Sequence, residues 1–159
     1  MRGWRTLRPV KVHQDSLSVR TGGAGFVDVT KRVEAVVAAS GVQTGLCTVF
    51  LQHTSASLVI QENADPAVLR DLASWMARIA PEDARAYEHA DEGLDDMPGH
   101  LRASITKTSE TIPVTNGRLA LGTWQALYLW EHRRTPHTRT LSVTTMGTEK
   151  LTASGEADC

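Results

Sequence analysis

Fourteen consecutive residues, Tyr87 to His100, carry the densest set of groups in the chain that could do chemistry. They read YEHADEGLDDMPGH and contain two histidines and five acidic residues. Neutral imidazole and ionised carboxylate serve both as metal ligands and as proton carriers near neutral pH. The segment therefore predicts a divalent-metal site or a general acid/base pair, with an ordinary solvated acidic loop as the alternative.

The composition predicts one cytoplasmic domain of ordinary size. The chain has 159 residues, of which 41% are hydrophobic, and this length can bury a core without metal or disulfide staples. Lysine plus arginine (17) nearly balance aspartate plus glutamate (18), so no whole-molecule field attracts nucleic acid or an anionic membrane. Cys47 and Cys159 form neither a disulfide framework nor a zinc-ribbon spacing. The first ten residues lack a signal-peptide core, and no run approaches the ~20 apolar residues that span a bilayer.

Two helices are predicted by apolar spacing and by capping residues. The first covers about 30–40, with Thr30 as the cap at its start and Gly41 just past its end. The second has Asp65 as N-cap and Pro66 at its first position, and it ends near Pro81. Its apolar stripe is expected to be core and consists of Val68, Leu72, Trp75, Met76 and Ile79.

A third, short helix is predicted after the acidic loop. It opens at Pro98, is capped by Asp96 or Met97, and carries His100 in its first turn. Unpaired amides and the helix dipole at such a terminus favour anions. The same neighbourhood is therefore expected to hold phosphate as well as metal.

The remainder of the chain reads mainly as strands. Residues 46–53 place His53 on the same side as apolar neighbours, where a histidine is more often a hydrogen-bonded core residue than a ligand. Asn116-Gly117 between two extended runs predicts a hairpin, and 123–131 reads as a strand covered on both faces. Many strands with few helices predict an α+β fold, with a mostly antiparallel sheet system against which helices pack.

Several long motifs resemble the YjbQ family, a group described as secondary thiamine-phosphate synthases. They are QHTSASLVIQENADPAV (52–68), YEHADEGLDDMPGH (87–100), TIPVTNGRLALGTWQALYLWEHR (111–133) and the closing Arg139 to Gly147. The resemblance implies one domain over 1–148, a loose tail over 149–159, a β-sandwich-like sheet core and a homotrimer. It also implies a reaction that joins hydroxymethylpyrimidine diphosphate to hydroxyethylthiazole phosphate and releases pyrophosphate, and hence a small phosphorylated metabolite as partner.

The resemblance also assigns site residues at matching positions. As a hypothesis, His53, His89 and His100 bind a divalent metal, zinc or magnesium, which neutralises the leaving diphosphate. The catalytic candidates are Glu62, Asn63, Asp95, Asp96 and Gln125. Thr123 and Arg139 are the candidates for substrate binding.

Other interpretations of these residues stay open. Arg139 is equally suited to an ion pair with Glu131, and Thr123 and Gln125 to buried hydrogen bonds. His13, His132 and His137 read as surface residues because each has polar or basic neighbours in sequence and no partner at metal-ligand spacing. Two other functions fit the same residues, a metal-dependent phosphate-ester hydrolase and a non-catalytic trimeric binder of a phosphorylated metabolite.

Overall fold

The computed structural model of the chain describes residues 9–83 and 85–150, and within them the predicted α+β class is confirmed. These ranges contain eight strands, which are β1 (Lys11–Arg20), β2 (Gly25–Asp28), β3 (Val42–Leu51), β4 (Ala56–Glu62), β5 (Ser109–Thr115), β6 (Arg118–Leu119), β7 (Gln125–Glu131) and β8 (Thr138–Glu149). They also contain three helices, which are α1 (Thr30–Ser40), α2 (Pro66–Ile79) and α3 (Asp96–Ile105).

The strands form two sheets in which the paired strands run antiparallel. One sheet has five strands in the order β1-β8-β3-β5-β6, and the other has three in the order β2-β7-β4. Apolar side chains of both sheets and of α1 form one continuous buried cluster. β7 begins at Gln125, two residues later than the predicted strand over 123–131. Its residues 126–131 are all buried, which confirms the expected cover on both faces for this part, whereas 123–125 are exposed.

Local capping residues predicted where the three helices begin, and the structure confirms some of these predictions and not others. The bounds of α1 are as expected and Gly41 takes the left-handed conformation at its end, but the cap position falls on Val29. The side chain of Asp65 accepts a hydrogen bond from the Ala67 amide, so the predicted start of α2 is confirmed. α3 begins at Asp96, two residues before Pro98, so His100 lies in its second turn and not in its first.

The expectation that the apolar stripe of α2 is core is confirmed only in part, because Val68 and Leu72 are half-buried and the stripe's other members differ in burial. Only Met76 is buried, whereas Trp75 and Ile79 are each 47% exposed. The helix packs on β4 through a small contact, and its spacing describes amphipathicity without saying what covers the apolar side. α2 therefore leaves the apolar side chains of Trp75 and Ile79 exposed in the single chain.

The hairpin expected between two extended runs is confirmed. The Asn116-Gly117 hairpin joins β5 to β6, and both residues have the positive φ values, 53° and 73°, that a tight type I′ turn requires. The expected tail over 149–159 begins with the last residue of β8, while 151–159 and the first eight residues lie outside the described part. The single-domain boundary at 148 stays a prediction. Within the described ranges, no helix has both the length and the apolar character needed to cross a membrane.

Candidate metal centre

The first half of α3 places two of the candidate ligands. Asp96 is the first residue of the helix and His100 follows four positions later, so the two side chains project from one face. Oδ2 of Asp96 lies 3.5 Å from Nε2 of His100. One short helix thus pairs a carboxylate with an imidazole.

His89 joins this pair from the loop that precedes α3. Its Nε2 is 2.6 Å from the same Oδ2 of Asp96, and the centroids of the His89 and His100 rings are 5.6 Å apart. Each of the three residues offers one ligand atom within 4.8 Å of the others. Asp96 is buried while both histidines are accessible, so this histidine–aspartate cluster is open to solvent on its histidine side.

The geometry of the histidine–aspartate cluster fits a transition-metal ion. Two ligands of a tetrahedral zinc ion are about 3.3 Å apart when each bond is near 2.0 Å, close to the 3.5 Å between Asp96 and His100. The distance from His89 to Asp96 is that of a hydrogen bond, and widening it by less than about 1 Å gives ligand spacing. Two imidazoles disfavour magnesium, which prefers oxygen ligands.

A second hydrogen bond fixes the orientation of His100. Its Nδ1 is 3.0 Å from the backbone carbonyl oxygen of Thr54, just before β4. A protonated Nδ1 that donates to this carbonyl leaves the lone pair on Nε2, the atom that faces Asp96. Metal-binding histidines are usually held in this way by a partner on the ring's other nitrogen.

Arg133, just beyond β7, anchors the acidic side of the cluster and was not among the predicted site residues. Its guanidinium donates to Asp95 over 3.2 Å, to Asp96, and to the carbonyl of Glu92 over 2.8 Å. Burial raises the pKa of Asp95, but hydrogen bonds from the Arg134 amide and from Arg133 outweigh it and hold that pKa below its usual range. One feature of the sequence could have indicated Arg133, namely that the buried strand continues into the charged run Glu-His-Arg-Arg.

His53 lies outside the histidine–aspartate cluster, just past the end of β3. Its Nε2 accepts a hydrogen bond from the Thr140 amide over 2.9 Å, and its Nδ1 is 3.5 Å from Nη1 of Arg139. The nitrogen that a metal would need is therefore already used. Burial and the positive charge of Arg139 lower the pKa of His53, so the ring is neutral at neutral pH.

Arg139 forms the ion pair that was the alternative to a substrate contact. Its Nε and Nη2 donate to the two carboxylate oxygens of Glu131 over 2.8 and 2.6 Å, and Nη2 also donates to Ser55 over 3.1 Å. Arg139 and Glu131 are almost completely buried. The two guanidinium nitrogens that could bind a phosphate therefore donate to Glu131 instead.

Four other predicted site residues lie near the far end of the three-stranded sheet, and they are Glu62, Asn63, Thr123 and Gln125. Glu62 pairs with Gln125 in the β4–β7 register, six positions from the Ala56–Glu131 pair. Six strand residues span roughly 20 Å. The structure thus separates these four from the histidine–aspartate cluster within one chain, and their site roles stay predictions.

His132 is a correction to the expected surface histidines. It is 2% exposed, its Nε2 is 2.9 Å from the hydroxyl of Ser57, and its ring lies beside Trp130. Burial lowers the pKa of His132 to about 3. Polar neighbours in sequence suggested exposure, but β7 carries this residue into the interior, where Ser57 of β4 is its partner.

Comparisons with known proteins agree on one family. Residues 15–148 match the family model for UPF0047 proteins, YjbQ-like. A UPF0047 protein of a Synechocystis strain is 58% identical over 135 residues, covering 85% of this chain and 92% of the relative. The UPF0047 protein YjbQ of Escherichia coli O157:H7 is 40% identical over 136 residues, covering 85% of this chain and 98% of the relative.

Solved structures support the same grouping. A YbjQ-like protein of unknown function from Sulfolobus solfataricus superposes with a TM-score of 0.80 at 28% identity, covering 87% of this chain and 99% of that one. An uncharacterized conserved protein of the yjbq/upf0047 family from Clostridium acetobutylicum gives a TM-score of 0.76 at 35% identity, covering 82% and 98%. Both descriptions leave the function open.

These comparisons overturn one functional expectation. The thiamine-phosphate synthase transferase implied by the sequence motifs is wrong as an assignment, because these relatives are named only as UPF0047 proteins and these structures as unknown or uncharacterized. The residues that carried the resemblance identify a family and do not identify its reaction.

Proposed function

The chain belongs to the UPF0047 YjbQ-like family, and from the chemistry of its own residues we propose that it is a metal-dependent protein that binds a divalent transition-metal ion, zinc foremost, through His89, Asp96 and His100. The carrying observation is the convergence of three ligand atoms within 4.8 Å of one another. Two come from one turn of α3 and one from the preceding loop.

The surroundings of the histidine–aspartate cluster support binding of a cation. Asp96 is buried with Arg133 on its Oδ1, while its Oδ2 faces both histidines. Oδ1 of Asp96 is thereby paired with the Arg133 guanidinium, and Oδ2 is the oxygen that would bind the candidate ion. An ion bound at this position would give Oδ2 a charged partner in place of the His89 hydrogen bond.

Three protein ligands leave a coordination position open, which is the arrangement of catalytic and not structural zinc sites. A bound ion supplies Lewis acidity, which polarises a substrate oxygen or acidifies a water. The chain's contribution is to hold His100 in place through the Thr54 carbonyl and Asp96 through the Arg133 guanidinium. We therefore assign the site to Lewis-acid chemistry on the open histidine side.

Metal analysis of the purified protein tests this proposal. After loading with zinc, cobalt, manganese or magnesium and removal of excess, the parent should hold one zinc or cobalt ion per chain and little magnesium. Asp96→Asn, His89→Gln and His100→Gln should each lower metal affinity by about 10- to 100-fold or more. His53→Gln is the matched control and should retain the ion, because His53 Nε2 is bound to the Thr140 amide.

Two results would contradict the assignment. If the parent protein binds none of the four metals, the proposed metal site is wrong. Loss of the ion in His53→Gln, with retention in Asp96→Asn, restores the three-histidine ligand set expected from the sequence and excludes the one proposed here.

We also propose self-association in the cytoplasm, with three copies as the family resemblance implies. Support comes from the outer face of the five-stranded sheet, where Val12, Met146 and Leu46 are register neighbours across β1, β8 and β3 and are all exposed. A contiguous apolar row of this kind is typical of an association surface. Leu46→Lys should lower the molar mass measured by light scattering, whereas a mass of one chain for the parent would contradict the proposal.

A further inference from the structure

We infer that the pocket next to His100 receives an uncharged, mainly apolar part of the substrate whose reacting group lies at the histidine–aspartate cluster. This inference rests on the proposed metal-dependent function and adds a substrate class to it. The pocket has a volume of about 270 Å³, and its lining residues are His53, Thr54, His100, Ala103, Ser104 and Thr108.

His100 is the structural link between the pocket and the histidine–aspartate cluster. Its Nε2 faces Asp96, while its Nδ1 is bound to Thr54, which also lines the pocket. The imidazole is thus a wall shared by the two sites. A substrate whose reactive oxygen occupies the open ligand position extends its remaining atoms past this ring and into the pocket.

The size of the pocket limits what this part of the substrate can be. Pockets for drug-sized ligands measure roughly 300–1,000 Å³, so 270 Å³ lies just below that range. The pocket is also open to solvent on one side, and a small group such as one ring fits it better than an extended chain.

The walls favour an apolar and uncharged group. Most of the lining surface is apolar, and none of the described residues that line it is Asp, Glu, Lys or Arg. His53 is neutral at neutral pH, and the charge of Arg139 behind it is matched by Glu131. A charged substituent would therefore lose water without gaining a partner, while an apolar one gains from burial.

Hydroxamates on the cobalt-loaded protein test this inference. Acetohydroxamate and benzohydroxamate share one metal-chelating head, and they differ in carrying a methyl group or a phenyl ring. Their dissociation constants can be measured by calorimetry and by the change in the cobalt visible spectrum. We expect benzohydroxamate to bind about tenfold more tightly, which corresponds to burying on the order of 60 Å² more apolar surface.

Filling the pocket should remove this preference and leave cobalt in place. Ser104→Trp, at the exposed end of α3, places a large side chain on the pocket wall, and Thr108→Trp does so from the opposite chain segment. Ser74→Trp on α2 is the matched control and should keep the tenfold preference. Retention of cobalt in each variant shows that the fold and the ligands are intact.

The outcomes separate the inference from the function on which it rests. Equal affinity for the two hydroxamates in cobalt-loaded parent protein overturns the pocket and leaves the metal centre standing. A phenyl preference that survives both Ser104→Trp and Thr108→Trp also overturns it. Failure of the parent to bind cobalt at all removes the metal-dependent function and this inference together.

Discussion

At the residue scale, one guanidinium controls the acidic side of the candidate centre. Arg133 contacts Asp95, Asp96 and the carbonyl of Glu92, and its side chain is almost completely buried. Removing one partner of a buried ion pair is costly because the other charge is left without compensation. Arg133 therefore acts as a positioning residue that both holds the fold and aims Oδ2 of Asp96 at the histidines.

Arg133→Met should lower both the free energy of unfolding and the zinc affinity by more than a surface substitution does. We expect the free energy of unfolding to fall by about 3 kcal/mol, as for a broken buried ion pair, and zinc affinity to fall by about tenfold or more because Asp96 loses its orienting partner. Urea unfolding of the metal-free protein and zinc competition titration measure the two effects.

Arg134→Met is the control for this substitution. Its side chain is largely exposed and pairs with Glu82, so its removal should cost less than about 1 kcal/mol and leave zinc affinity unchanged. Equal effects of the two substitutions on zinc affinity would contradict the positioning role of Arg133.

At the element scale, the sequence predicted those features that depend on neighbours in the chain. The start of α2 at Asp65-Pro66 and the Asn116-Gly117 turn were predictable because each signal is local. The burial of His132 and the role of Arg133 were not, because their partners are more than 30 residues away. The pairing of β4 with β7 brings Ser57 to His132, and the start of α3 brings Asp95 to Arg133, and no local pattern encodes either contact.

The β3–β8 pairing contains a second feature that local patterns could not predict. Gly45 and Gly147 are register partners, and a Cβ built on Gly45 would overlap the Met146 carbonyl and lie 2.6 Å from Cα of Gly147. Glycine is needed at this position for the close approach of two backbones. The close approach lies beside the register shift that begins between Val42 and Thr44.

Gly45→Ala should therefore destabilise the protein strongly. We expect a loss of about 3 kcal/mol in the free energy of unfolding, because the added methyl group can be accommodated only by moving backbone. Gly22→Ala is the control, since nothing lies within 4 Å of a Cβ at Gly22, and it should change stability by less than about 1 kcal/mol. A Gly45→Ala protein as stable as Gly22→Ala would show that the strands separate without cost.

At the scale of the whole molecule, buried polar contacts join the two sheets and the loops between them. Glu131 at the end of β7 accepts hydrogen bonds from Arg139 on β8 and from Thr21 after β1. Burial raises the pKa of Glu131, but the hydrogen bonds to Arg139, Arg133 and Thr21 outweigh it and lower that pKa overall. This buried network lies directly beside the elements that hold the candidate centre, so the fold and the site are expected to share their sensitivity to acid.

The lowered pKa of His132 predicts in which direction the free energy of unfolding changes with acid and over which pH range. Burial lowers its pKa from 6.5 to about 3, so between these values the unfolded chain binds one more proton than the folded protein. Its contribution to stability is therefore complete above pH 6.5 and is lost as the pH falls toward 3, at up to about 1.4 kcal/mol per pH unit. His132→Gln keeps a hydrogen-bonding group near Ser57 but cannot titrate. Urea unfolding of metal-free protein should show that the parent loses about 1 kcal/mol more than this variant between pH 6 and pH 5, and that the two change in parallel between pH 7.5 and 8. Parallel curves down to pH 5 would contradict a buried, neutral His132.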